Sequence, residues 1–182
     1  GPDGSRPGIL SITPAGEDAE GGATYVYSLI DISEQKSAQE RLEYLASRDQ
    51  LTGLVNRRAL DQRLAGLRDV PFALVIVDLD HFKDVNDSYG HGAGDRVLQA
   101  VASRLDAIRR DRLKPDDILC RIGGDEFALL IHSGDGGFIE SIIEKIQGAL
   151  GQTVRIDDGL EVFSSATLGV SYKPRDGDRD AL

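Results

Sequence analysis

The stretch that most restricts the fold lies between residues 118 and 132. Two short apolar runs, Ile118-Leu119-Cys120-Arg121-Ile122 and Phe127-Ala128-Leu129-Leu130-Ile131-His132, flank Gly123-Gly124-Asp125-Glu126. Runs of this length bounded by glycine read as strands, and two glycines between them predict a tight hairpin, because glycine reaches φ > 0 without a Cβ clash. The two strands are therefore antiparallel neighbours. Their turn lifts two adjacent carboxylates, Asp125 and Glu126, to one rim of a sheet.

The rest of the chain supplies partners for that sheet. Phe72-Ala73-Leu74-Val75-Ile76-Val77-Asp78-Leu79-Asp80 predicts a buried strand, apolar on both faces until it meets carboxylates at its end. Asn56 to Arg68 reads as an amphipathic helix closed by Pro71, and Gly94 to Arg110 as a long helix. Residues 138–150 place Ile139, Ile142, Ile143, Ile146 and Leu150 on one helical stripe, and Val154–Ile156 and Val162–Tyr172 alternate like strands. The order β-α-β-β-α-β describes an α+β fold, with helices on one face of a central, mainly antiparallel sheet.

Upstream, Ile9-Leu10-Ser11-Ile12-Thr13 and Thr24-Tyr25-Val26-Tyr27-Ser28-Leu29-Ile30 flank a Gly- and acid-rich stretch at 16–22, as the strands of a hairpin would. Two strands alone cannot bury a core, so this piece reads as the edge of an upstream domain. The opening Gly1-Pro2-Asp3-Gly4-Ser5 resembles a cloning scar. From Ser33 to Ser47 the composition turns helical, with Ser33 expected as N-cap and Lys36 where a capping box carries Glu. Gln35, Ala38, Leu42, Leu45 and Asp49 follow 3-4-3-4 spacing, which suits either a short coiled-coil seam between chains or an ordinary surface helix.

Composition narrows the function. The 182 residues carry a net charge of −10, which disfavours binding to a nucleic acid duplex; a phosphate-rich ligand would need metal ions or local basic groups. Cys120 is the lone cysteine and sits in an apolar strand, so it reads as a packing residue. No run reaches the apolar length of a bilayer span and no signal-peptide pattern opens the chain. The expectation is a cytoplasmic piece, whose longer parent could carry a membrane anchor.

The carboxylates point to chemistry. Strand alternation places Asp78 and Asp80 on one face. Hard oxygen ligands suit Mg²⁺, and adding Asp125 from the neighbouring hairpin gives a two-strand carboxylate site of the kind used in nucleotidyl transfer. The plainer alternative is that Asp78 and Asp80 merely end a strand. Residues 80–95 are too polar and glycine-rich for core, and as a loop leading into a helix their amides could cradle phosphate. Lys83 could supply a point charge, while Asn86 and Asp95 could read the donor and acceptor edges of a base. Set against this, Asp95 is an ordinary charge near a helix start, Asn86 a turn residue and His91 a loop hydrogen bonder.

Four blocks in chain order closely resemble the GGDEF family of diguanylate cyclases: Asp49 through Arg58, Asp78 through Asp95, Arg121 through Phe127, and Ser165-Ala166-Thr167-Leu168-Gly169-Val170. The resemblance covers residues 49 to about 182. It implies a fold similar to the nucleotide cyclase and polymerase palm. The implied reaction joins two GTP into cyclic di-GMP and releases two pyrophosphates, with Mg²⁺, or Mn²⁺, as cofactor. Carried over by position, Asp78, the Leu79 carbonyl and Asp125 are the implied metal ligands. Asp125 also stands where the 3′-hydroxyl loses its proton, with Glu126 as a supporting carboxylate. Asn86 and Asp95 take the guanine edge with His91 nearby, the Phe82 amide and Lys83 face the phosphates, and Gly123 and Gly124 let the nucleotide approach. Each domain holds one GTP, so a homodimer is implied. Residues 33–48 become a helical signalling linker, and residues 1–32 include a fragment resembling the end of a PAS sensor.

Two departures from the family pattern stand out. Where many members carry Arg-x-x-Asp before the signature as a product-inhibition site, this chain has Lys114-Pro115-Asp116-Asp117. Lysine lacks the guanidinium fork, so that site is expected to be degenerate. The chain also stops at Leu182, before the family's final helix and its contacts to the triphosphate. The rival reading is a catalytically weak GTP-binding domain that regulates a linked phosphodiesterase domain.

Overall fold

The computed structural model describes residues 6–17, 23–67, 70–157, 159–162 and 165–173. The chain divides into two compact units, with the boundary between Ala46 and Ser47. In the first unit, strands β1 (Gly8–Glu17) and β2 (Ala23–Asp31) form an antiparallel pair in which Ile9 faces Ile30 and Leu10 faces Leu29. Helix α1 (Ser33–Ala46) follows and buries none of its residues. Its start differs from expectation: Ser33 is the first helical residue, the Lys36 amide donates to the Ile32 carbonyl at 2.9 Å, and the Ser33 amide donates to the Asp31 carboxylate at 2.8 Å. A carboxylate there also meets the positive end of the helix dipole, which a hydroxyl cannot match. Residues 1–5 and most of the predicted hairpin connection lie outside the described residues.

The second unit runs β3 (Val55–Asn56), α2 (Arg57–Gly66), β4 (Phe72–Leu79), α3 (Phe82–Tyr89), α4 (His91–Arg112), β5 (Ile118–Gly123), β6 (Glu126–Ile131), α5 (Gly136–Leu150), β7 (Val154–Asp157), β8 (Leu160–Val162) and β9 (Ala166–Lys173). The main sheet has the order β3-β5-β6-β4-β9. Its pairings are antiparallel except β3–β5. The predicted strands at Val154–Ile156 and Val162 form a separate two-stranded sheet, β7–β8, and β9 begins only at Ala166.

Alternation along β4 explains the two-sided core. Ala73, Val75, Val77 and Leu79 join Phe127, Leu129 and Ile131 of β6 in a cluster with Val97, Val101 and Leu105 of α4 and Ile139, Ile142 and Ile146 of α5. Phe72, Leu74 and Ile76 point the other way, into a cluster with Cys120, Ala128, Leu130 and Leu60 of α2. Helices thus flank both faces of the sheet, which corrects the expected one-sided arrangement. A sheet apolar on both sides needs a cover on each, and each fully buried Leu, Ile or Phe contributes about 1.5–3 kcal/mol. Cys120 is fully buried, and burial, with smaller effects from Asp61 and Asp49, pushes its thiol up to about 12. It stays a neutral packing group, as the sequence suggested.

Candidate active site

The site is built where β4 ends and β6 and β9 begin. Register sets Asp78 opposite Glu126 on β6 and opposite Thr167 on β9. The Leu79 amide donates to the Asp125 carbonyl at 3.3 Å, which closes the end of the ladder. Asp78 and Glu126 are both exposed, and among the described residues no hydrogen bond or ion pair engages the carboxylates of Asp78, Asp125 or Glu126. Three unengaged carboxylates therefore share one rim.

The hairpin carries a correction. Gly123 is the last residue of β5 and pairs with Glu126 after a register shift, so the turn residues are Gly124 and Asp125. The left-handed backbone falls on Gly124 alone of the two glycines, at φ 53°. A Cβ on Gly123 would meet nothing within 4 Å, so its bareness leaves open space before the rim and serves no contact within the chain.

Arg121 anchors this turn from behind. Its Nε and Nη2 donate to the Gly124 carbonyl at 3.1 and 2.7 Å, and its Nη1 donates to Asp49 Oδ1 at 3.1 Å. Asp49 also accepts from the Thr52 hydroxyl at 2.6 Å and the Thr52 amide at 2.9 Å. Burial alone would raise the Asp49 carboxyl, but the Thr52 hydroxyl and amide together with Arg121 outweigh it and hold the group below its ordinary value. Sequence reasoning missed this link, although both residues sit inside the matched blocks.

Asp80 behaves differently from Asp78. Its Oδ2 accepts from the Ser165 hydroxyl and its Oδ1 from the Thr167 hydroxyl, each at 2.7 Å. Those two hydroxyls hold its carboxyl below the usual range. Strand alternation put the two aspartates on one face correctly, yet only Asp78 is left unengaged.

The segment expected as a phosphate-cradling loop is helical. His81 adopts the left-handed conformation at φ 58°, α3 follows at once, and Gly90 at φ 80° separates it from α4, which starts at His91 rather than Gly94. Burial of Val85 and Ala93 stabilises both helices against the core cluster. Phe82 and Lys83 open α3, so their amides remain at a helix entry. Asn86 is half-buried on α3, whereas Lys83, His91 and Asp95 are exposed. A Cβ on Gly94 would overlap Asn86 Oδ1 and lie 3.1 Å from Phe82 Cζ. That glycine lets α3 and α4 pack closely and keeps room for the Asn86 amide.

The donors at the rim are all oxygen, which suits Mg²⁺ or Mn²⁺ by chemistry. Among the described residues, no three His, Cys, Asp or Glu side chains converge as they would around a bound ion.

Asp117 is buried and committed internally. Its Oδ1 accepts from the His132 amide at 2.7 Å and lies 3.0 Å from His132 Nδ1, while its Oδ2 accepts from the Lys114 amide at 2.8 Å. The Lys114 ammonium donates to the His132 carbonyl at 3.3 Å. A cavity of about 460 Å³ lies beside this segment, lined by Arg48, Arg63 and Arg109 among others and by none of the rim carboxylates. It opens at the start of β5, the far end of that strand from the hairpin.

The family model for the diguanylate cyclase GGDEF domain matches residues 46–181. Diguanylate cyclase TpbB of Pseudomonas aeruginosa is 34% identical over 188 residues, covering 96% of this chain and 40% of that protein. The bifunctional diguanylate cyclase/cyclic di-GMP phosphodiesterase MucR of the same organism is 40% identical over 146 residues, covering 77% of this chain and 21% of that protein. Among solved structures, the coiled coil and GGDEF domain of DgcB from Caulobacter crescentus, in complex with c-di-GMP, matches with a TM-score of 0.70 and 25% identity. The match covers 79% of this chain and 78% of that one. The chain spans only 20% to 40% of the length of the first curated relatives it matches. With the fold, the signature hairpin and the family model in agreement, this chain belongs to the GGDEF family of diguanylate cyclases.

Proposed function

We propose that this domain condenses two GTP into cyclic di-GMP with release of two pyrophosphates, at a site completed by a second copy of the domain. The observation that carries the reading is the rim itself: Asp78 stands opposite Glu126, Asp125 precedes it in the turn, all three carboxylates are unengaged among the described residues, and Gly123 leaves open space beside them. Asp78, Asp125 and the Leu79 carbonyl would hold Mg²⁺, which when bound eases deprotonation of the attacking hydroxyl and neutralises charge growing on the α-phosphate. Asp125 stands at the 3′-hydroxyl that loses its proton, and Glu126 supports it. Asn86 and Asp95 read the guanine edge, with His91 beside the nucleotide. The Phe82 amide and Lys83 meet the phosphates. The 3′-oxygen attacks the α-phosphorus in line as the bond to pyrophosphate breaks, once in each direction across the dimer.

Product inhibition through Lys114 and Asp117 is expected to be weak, since Asp117 spends both oxygens inside the fold. The hairpin of β1 and β2 fits the closing strands of a PAS-like sensor, and α1 a linker that pairs chains. The alternative, a GTP-binding domain that regulates a linked phosphodiesterase, has support from the similarity to bifunctional MucR. Incubating the full-length parent with GTP and Mg²⁺ and separating products by chromatography decides between them. Cyclic di-GMP should form with the native protein and not with Asp125→Ala. Mg²⁺-dependent GTP binding without product would favour the regulatory reading, and equal product from both proteins would refute the role given to Asp125.

A further inference from the structure

We infer that Asp80, Ser165 and Thr167 form a clip that sets the position of the metal-binding end of β4, with Asp80 acting as a positioning residue and not as a ligand. This rests on the cyclase reading above. Asp80 lies just past the end of β4, and its bond to Thr167, the residue opposite Asp78, puts both acids on the same side of the sheet. Left loose, a second carboxylate there would compete for the same cation. Instead, both of its oxygens are occupied, one by the Ser165 hydroxyl and one by the Thr167 hydroxyl, at 2.7 Å each. Its amide also donates to the Ser165 carbonyl at 2.9 Å, which carries the β4–β9 ladder beyond the last paired residues of the two strands, Leu79 and Ala166.

Thr167 is the informative member. It stands directly opposite Asp78 in the register, yet its hydroxyl is given to Asp80. Asp78 thereby keeps a carboxylate with no protein donor among the described residues, as a cation ligand requires. Charge-assisted hydroxyl contacts to Asp80 are short and directional, so they fix the backbone on either side. On one side lie Asp78 and the Leu79 carbonyl. On the other, His81 turns through the left-handed region at φ 58° and starts α3 at Phe82 and Lys83. A residue held in that region persists where its surroundings dictate it, and the clip supplies the restraint on the β4 side. One small cluster at the start of β9 thus governs both the metal ligands and the amides expected at the phosphates. It also gives a task to the Ser165–Val170 block, which the cyclase reading otherwise leaves unused.

The test compares the native protein with the double variant Ser165→Ala, Thr167→Val, which removes both donors and keeps Asp80, and with Thr167→Ser, which keeps the hydroxyl. In the double variant the Mg²⁺ concentration for half-maximal cyclic di-GMP synthesis should rise about ten- to a hundred-fold, the range typical of losing groups that orient a ligand. The KM for GTP at saturating Mg²⁺ should move far less, and Thr167→Ser should behave as the native chain. Without metal or nucleotide, amide exchange across Leu79–Lys83 should accelerate in the double variant. Unchanged exchange together with an unchanged Mg²⁺ midpoint overturns the clip. A loss of Mg²⁺ response in Asp80→Asn with none in the double variant overturns it too, by making Asp80 a direct ligand. If the native protein makes no cyclic di-GMP, the cyclase reading fails on its own. Amide exchange and Mn²⁺ binding followed by electron paramagnetic resonance then still decide the clip.

Discussion

Gly94 shows how one absent side chain sets a site. Its Cβ would fall on Asn86 Oδ1, inside a buried contact between α3 and α4, so Gly94→Ala must push the two helices apart or expel the Asn86 amide. Overpacking of this kind costs about 1–3 kcal/mol. The expected outcome is a lower denaturant midpoint together with a raised KM for GTP; a lowered midpoint with a native KM would separate Asn86 from guanine recognition. Asp49 makes a different prediction, in pH. Its carboxyl lies below the ordinary value of 3.8 in the folded state, because Thr52 and Arg121 outweigh the effect of burial. A group whose pKa is lowered by folding stabilises the protein above its unfolded value, and that contribution fades as pH falls through the folded value. Asp49→Asn should therefore be less stable than the native chain at neutral pH. The gap should narrow as pH is lowered through and below the ordinary carboxyl value of 3.8, as read from urea midpoints at neutral and acid pH.

At the scale of elements, the hairpin is a turn held from both sides. Arg121 joins the Gly124 carbonyl, next to Asp125, to Asp49 in the turn that follows α1, so the signature loop and the start of the second unit share one guanidinium. Lysine cannot span both acceptors. Arg121→Lys should lower turnover about tenfold or more while costing only about 1–3 kcal/mol of stability; equal losses in thermal melts and turnover would reduce the link to general folding. The hairpin was legible in sequence because two apolar runs bounded by glycine admit little else, and β4 because a strand buried on both faces reads as a continuous apolar run. Which glycine carries the turn was not legible, since a register shift between Arg121 and Gly123 decides it. Helix α3 escaped because it has eight residues and buries only Val85. The first turn of α4 contains Gly92 and Gly94, poor helix formers that tertiary packing overrides. The Arg121–Asp49 link leaves no local periodicity at all, and the side of the sheet covered by α2 depends on a crossover that no pattern encodes.

For the whole molecule, the division of labour follows from where the core lies. Every residue of the two hydrophobic clusters falls between Leu51 and Val170, and α1 buries none of its own. The second unit therefore owns the cooperative core. Removing residues 1–46 should leave the melting temperature of the remainder within about 2 °C of the native transition. Activity should respond differently. On the proposed cyclase reading, two GTP-bearing domains meet face to face, and a chain of net charge −10 gives such domains no electrostatic pull toward one another. Something else must raise their local concentration, and the exposed Leu42 and Leu45 of α1 are spaced as a seam between chains. The full chain should accordingly show turnover per mole that is constant with protein concentration over a range where the shortened chain's turnover rises in proportion to it. Sedimentation at the same concentrations should show dimer for the first and monomer for the second. If both chains share one concentration dependence, the helix carries no pairing function, and the second copy must be recruited through the catalytic unit itself.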